Sequence, residues 1–209
     1  MKNKLINQIL EFCKEMEEDK LVKLGDTMSV RFEGGMLITS ALKPMAEISA
    51  EDIIYVDNKE PKDEVSALHL AIYNAREDIN AIIINHAPYC MGIAKELKKF
   101  PACLDDMAQI IGPTAKVAPS GSVVDVIKTL KGRNACLIKN AGVIATGRTL
   151  DEVHTGSLVL EKGAIAYVGS TVLGNSVKIS TFDAVLMRFI YKTKYSKKDQ
   201  SAKQAELKA

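Results

Sequence analysis

His86 stands just past a short apolar run, Ala81-Ile82-Ile83-Ile84, and is the side chain in this sequence best placed to do chemistry. The run reads as a buried strand, and α/β folds gather their reacting groups where strands end. An imidazole at such a point carries protons near neutral pH or ligates a metal through a ring nitrogen. Ligation has a strong signature, because residues two apart on an extended strand share a face and a His-x-His pair can grip one ion. Ile84 fills the first of those two positions. Glu64, in Pro61-Lys62-Asp63-Glu64, reads from the residues alone as an exposed acid at a helix start. Asp63, Glu64 or Cys90, which follows His86 by four residues, are the donors that would have to complete a new metal site. The plainer reading of His86 is an imidazole hydrogen-bonded at a strand end.

Other polar residues yield less. His69 lies five residues beyond Glu64, a turn of about 140° on a helix, so the two do not converge on one ligand. It reads as a structural residue on a packed side. His154 has no acidic or cysteine partner at metal spacing and reads as a packing or surface residue. The glycines match no phosphate-loop or dinucleotide spacing, and no Gly-x-Ser-x-Gly elbow is present.

These groups need elements to hold them. Leu5, Ile6, Ile9, Leu10, Cys13 and Met16 recur at helical spacing and predict an amphipathic helix ending near Gly25. Met28–Phe32 and Met36–Thr39 predict a hairpin about Glu33-Gly34-Gly35, and Ile53–Val56 a third strand. Pro61 opens a helix from about Asp63 to Arg76, and the strand before His86 follows it. A helix then passes through Gly92 to Lys99, with a less regular connection between Pro101 and Gly112-Pro113. A strand ending at Val117-Ala118, a helix over Val123–Lys131, and strands at Ala135–Ile138 and Val143–Ala145 come next. Thr149 and Glu152 form a capping-box pattern for a long helix reaching about Tyr167, and a last helix holds Val185, Leu186, Phe189 and Ile190. Mixed strands and helices of this kind imply an α/β or α+β layered domain.

Three stretches carry a family resemblance: Pro61-Lys-Asp-Glu64, Ile84-Asn-His86 and Leu137-Ile-Lys-Asn-Ala-Gly-Val-Ile-Ala145. Over roughly residues 21 to 170 the chain resembles the class II aldolase/adducin family, which includes zinc-dependent fuculose-phosphate aldolases. The resemblance implies an α/β three-layer fold, a central, mostly antiparallel sheet with helices on both faces. It also implies a homotetramer with sites between subunits. Its three zinc imidazoles fall on Ile84, His86 and Ala141, so His86 is the single remaining metal ligand and the site is incomplete. Glu64 matches the acid/base residue and is the candidate catalytic residue. The phosphate cradle falls on Asp26-Thr27-Met28-Ser29-Val30-Arg31, Thr39-Ser40-Ala41-Leu42 and Lys62-Asp63. Asp26, Leu42 and Asp63 replace small residues there, which speaks against a phosphate bound in the family's manner, and Thr27 is the candidate substrate-binding residue.

Bulk properties narrow the class further. The 209 residues suit one domain, taken here as 1–190, with a basic tail over 191–209 that is expected to be flexible. From Lys192 to Ala209 six lysines face Asp199 and Glu206, so this segment is +4 and the rest of the chain −2. A formal charge of +2 gives no reason to invoke nucleic acid, no stretch is long enough to span a membrane, and four unpaired cysteines suit a reducing, cytoplasmic setting. The first reading is therefore a class II aldolase/adducin-like domain that has lost zinc-dependent cleavage. It leans away from an enzyme, expects no cofactor, and gives the chain a binding, regulatory or scaffold role as a homo-oligomer. The alternative is a metal-dependent sugar-phosphate aldolase with a rebuilt site using Glu64, His86 and zinc. A third reading is an enzyme acting on an unphosphorylated small-molecule ligand in the same cleft.

Overall fold

Ala81–Asn85 forms β4, a central strand of one eight-stranded sheet in the order β3-β2-β1-β4-β8-β7-β6-β5. The computed structural model describes the backbone of residues 1–175 and 178–206, and the side chains of 1–175 and 178–194. The other strands are β1 (Thr27–Phe32), β2 (Gly35–Thr39), β3 (Ile53–Asp57), β5 (Lys99–Pro101), β6 (Thr114–Ala118), β7 (Ala135–Ile138) and β8 (Gly142–Gly147). Neighbours pair antiparallel except β6 and β7, whose parallel pairing needs a crossover, supplied by helix α4 (Val123–Leu130).

Both faces of the sheet are covered, which is why the central strands are apolar without a polar alternation. On β4, Ala81 and Ile83 turn toward α1 (Lys2–Glu18), α3 (Pro88–Glu96) and α5 (Leu150–Val172). Ile82, between them, turns toward α2 (Glu64–Ala75) and α4. Val143 and Ala145 of β8 repeat the first pattern and Ile144 the second. Each such aliphatic side chain contributes about 1.5–3 kcal/mol by leaving water. The expected three-layer α/β architecture is the one observed.

Several local expectations are corrected. The first helix stops at Glu18, because Lys20 takes a left-handed turn (φ 58°) and the chain then crosses the sheet edge, with His86 N–H donating to the Leu21 carbonyl. The helix expected to reach Lys99 ends at Glu96. Lys99–Pro101 pairs with β6 instead and buries Phe100 completely, a long-range gain that overrides the helical propensity of the lysine-rich stretch. A π-helical turn, Met107–Ile111, occupies the connection after it. Thr149 caps α5 by accepting from Glu152 N–H at 3.1 Å, but the Glu152 carboxylate turns back to Arg148 N–H at 2.7 Å, so only half of the box forms. The last helix, α6, spans Thr181–Glu206, so the expected boundary at 190/191 falls inside it, and the tail's side chains from 195 onward lie outside the described residues.

Candidate active site

Antiparallel pairing places the start of β1, the end of β4 and the start of β8 at one end of the sheet, with Thr27 opposite Ile84 and Val143 opposite Asn85. Helix α2 returns to the start of β4, so its own first turn lies at that same end. Loops here carry His86 and a partner that the sequence does not announce. His86 Nδ1 hydrogen-bonds Asp26 Oδ1, and the carboxylate's other oxygen accepts from Lys23 N–H at 2.9 Å. Asp26 is 1% exposed, whereas the imidazole of His86 keeps 17% of its surface open. A buried carboxylate on Nδ1–H fixes the tautomer and leaves Nε2 as the acceptor facing outward, the arrangement of a general base. Below the ring, buried Asn85 holds the strand exit, its amide donating to Ser157 Oγ (3.2 Å) and its carbonyl oxygen accepting from Ala87 N–H (3.2 Å).

Gly142 permits this placement. Its φ of 153° favours glycine, and a Cβ there would stand 3.2 Å from the Asn85 carbonyl oxygen and 3.6–3.7 Å from the His86 ring. Gly142→Ala is expected to cost about 1–3 kcal/mol and to displace the imidazole. Chemical denaturation and the shift of the His86 ring protons check this, and a variant with unchanged stability and unchanged ring shifts contradicts it.

A cleft of about 400 Å³ opens between β1, β2 and the start of α2, and Thr27, the residue after Asp26, lines it. Thr27, Thr39, Ser40 and Ser66 give it hydroxyls, Ile38 and Val65 apolar surface. The hydroxyl of Thr27 is bound to His69 Nε2 (3.1 Å), and His69 Nδ1 reaches Ser29 Oγ (2.7 Å), which meets the Tyr73 hydroxyl (2.9 Å). His69 is wholly buried, and burial lowers its pKa to about 3, so it is a neutral structural link. Arg31 is likewise structural, donating to the carbonyls of Tyr73, Arg76 and Ile79.

The sequence candidates are thus only partly brought together. Thr27 lines the cleft. Glu64 stands exposed at the first position of α2, one residue past Asp63, which lines the cleft and caps the helix by accepting from Ser66 N–H at 2.7 Å. Cys90 is buried in the core, where desolvation and the neighbouring Glu161 carboxylate raise its pKa and keep the thiol protonated. His154 does find acids after all. Asp19 (2.7 Å) and Glu15 (3.3 Å) of the first helix and its following turn clasp it, a contact across 135 residues. Asp26 is the candidate that sequence reasoning missed as a partner of His86, since its only signal is a contact across 60 residues.

The three-imidazole zinc site is not assembled from these residues. Ile84 packs its side chain against the α2/α4 core and Ala141 offers a methyl group, so of the three positions His86 alone presents a ring nitrogen. Among the described residues no group of three or more His, Cys, Asp or Glu side chains is arranged to hold a metal ion.

A family model described as the class II aldolase and adducin N-terminal domain matches residues 7–168. An L-fuculose phosphate aldolase of Haemophilus influenzae is 32% identical over 163 residues, covering 71% of this chain and 74% of that protein. A 5-methylthioribulose-1-phosphate/5-deoxyribulose-1-phosphate aldolase of Rhodospirillum rubrum is 30% identical over 153 residues, covering 67% and 69%. A solved L-fuculose 1-phosphate aldolase superposes with a TM-score of 0.82 at 25% identity, over 90% of this chain and 95% of that one. These relatives correct two expectations. The lean away from an enzyme is overturned, because the proteins matched over most of their length are named as aldolases. The expectation of no cofactor is overturned as well, because class II aldolases of the fuculose-phosphate type depend on zinc. The donors in this chain do not reproduce that zinc site, so its chemistry is derived from its own side chains.

Proposed function

The chain belongs to the class II aldolase and adducin family, and from that premise we propose that it is an aldol-type lyase acting on a small hydroxycarbonyl compound, with His86 as its proton carrier. The observation that supports this most is the buried Asp26 on His86 Nδ1, one residue before Thr27, which lines a cleft rich in hydroxyls. In the cleavage direction His86 Nε2 takes the proton of the β-hydroxyl. The carbon–carbon bond then breaks, its electron pair passing into an enolate as the aldehyde leaves. The protonated imidazole, its charge balanced by Asp26, returns the proton to the enolate carbon. Glu64, exposed one residue past the cleft-lining Asp63, is the second proton-transfer candidate, and Thr27 the residue against which substrate packs. An oligomer, a tetramer by resemblance, belongs to the same reading. It would cover the apolar residues that α6 leaves exposed, among them Phe182, Phe189 and Ile190. No described helix is long and apolar enough to cross a membrane.

The test is exchange of the carbon-bound protons of dihydroxyacetone and of its phosphate in deuterated buffer, followed by NMR. Protein purified without chelators should catalyse exchange on at least one of them, and His86→Asn should not. Exchange at the buffer rate on both, or an undiminished rate in His86→Asn, refutes the assignment.

A further inference from the structure

The cleft's polar groups are arranged against an anion. Lys62 N–H and Asp63 N–H both donate to Ser66 Oγ at 2.9 Å, and Ser66 N–H donates to Asp63 Oδ1 at 2.7 Å. Two of the four backbone donors at the start of α2, Asp63 N–H and Ser66 N–H, are thus taken by the chain's own side chains, as is Lys62 N–H just before them. Asp63 is in effect a built-in anion at that place.

Charge tells the same way. Among the cleft's lining residues Lys62 is the one cation, against Glu51, Asp52 and Asp63. Asp52 stays ionised over the whole working range, because hydrogen bonds from Lys43 and Ser49 hold its carboxyl at about 2. Lys43 is spent on that carboxylate at 2.7 Å and adds no free positive charge. With Asp52 balanced by Lys43, a phosphate dianion entering here meets the carboxylates of Glu51 and Asp63 against the cation Lys62, with Asp63 already seated on the helix start. A neutral ligand meets hydroxyls from Thr27, Thr39 and Ser40 over the apolar floor of Ile38 and Val65, which suits a short chain of alternating hydroxyl and CH groups.

From these contacts we infer that the cleft takes an unphosphorylated hydroxycarbonyl compound, and that Asp63 is the residue that rejects phosphate. The inference rests on the aldol reading for its reaction, but not for its binding preference. Its test is titration of the whole protein with dihydroxyacetone, dihydroxyacetone phosphate and inorganic phosphate, read by protein NMR shifts of the α2 start and by calorimetry. The wild type should saturate with dihydroxyacetone and bind neither phosphate compound in the same range. Asp63→Ser, which keeps a capping hydroxyl, and Asp63→Asn, which keeps the cap and removes only the charge, should each raise affinity for dihydroxyacetone phosphate about tenfold or more. Tighter binding of the phosphate ester by the wild type overturns the inference. So does failure of dihydroxyacetone to bind, or unchanged phosphate affinity in both folded variants. The two ideas fail separately: exchange confined to the phosphate ester sinks this inference and leaves the lyase standing. Saturable binding of dihydroxyacetone without exchange sinks the lyase and leaves the binding preference in place.

Discussion

Asp26→Asn is expected to lower kcat by about 10²–10⁴-fold with little change in KM, the range set by loss of a positioned proton carrier. The reason lies in which hydrogen the new side chain presents. Lys23 N–H must still be accepted, so the amide oxygen stays on that side and the NH₂ group turns to His86 Nδ1. An N–H facing Nδ1 forces the ring proton onto Nε2, and the acceptor that should meet substrate becomes a donor. The substitution also leaves a buried amide in a site shaped for a carboxylate, at a cost of about 1–3 kcal/mol. Stability alone therefore does not identify the role. Nitrogen chemical shifts of the imidazole do, because they report the tautomer directly: Nε2 unprotonated in the wild type, protonated in Asp26→Asn. His86→Asn should lose as much activity, and the double variant no more than either single one, as expected of residues acting as a unit. A variant with an unaltered tautomer, or with kcat near the wild-type value, would show that Asp26 only fastens the loop after α1.

Much of this architecture is written locally, and the part that is not has a common cause. The apolar run before His86, the hairpin about Gly34, and the Pro61 and Thr149 helix starts each depend on neighbours within a few residues, and all appear where expected. The substituted positions Ile84 and Ala141 are also visible from motif alone. What escaped is set by distant contacts. Lys99–Pro101 reads as helix until β6 offers Phe100 a buried slot against Ala115. Asp26 reads as a charge that merely spoils a phosphate site until the chain after α1 folds it under His86, 60 residues away. Asp63 reads as a helix-start acid, and only the structure shows that it and Ser66 take two of the backbone donors at that helix start. The lean away from catalysis rests on counting lost zinc ligands, and the aldolases matched over most of their length overturn it.

Stability between pH 6.5 and 4.5 is expected to fall by about 1.4 kcal/mol per pH unit on account of His69 alone. Burial of the ring lowers its folded pKa from 6.5 to about 3, outweighing the opposing pull of the Asp63 charge. Above pH 6.5 neither state binds the proton and folding carries no penalty from this residue. Below it the unfolded chain takes up a proton that the folded chain refuses, so the folded state loses ground until the pH nears 3. The carboxylates with lowered pKa, such as Asp78 and Glu152, follow the opposite path. Their contribution is complete above about pH 4–5 and is lost only below their unfolded values, so the window above pH 4.5 belongs to histidine. His69→Gln separates the two. The amide can still accept from Thr27 and donate to Ser29, keeping the chain of hydrogen bonds that ends at Tyr73, but it has no proton to gain. Urea unfolding at pH 7 should find the variant less stable by about 1–3 kcal/mol, because the packing is imperfect. From pH 6.5 to 4.5 its stability curve should be the flatter of the two by about 2–3 kcal/mol. Parallel curves would mean that the imidazole titrates in the folded protein, and that the link between Thr27 and Tyr73 admits a charge at its centre.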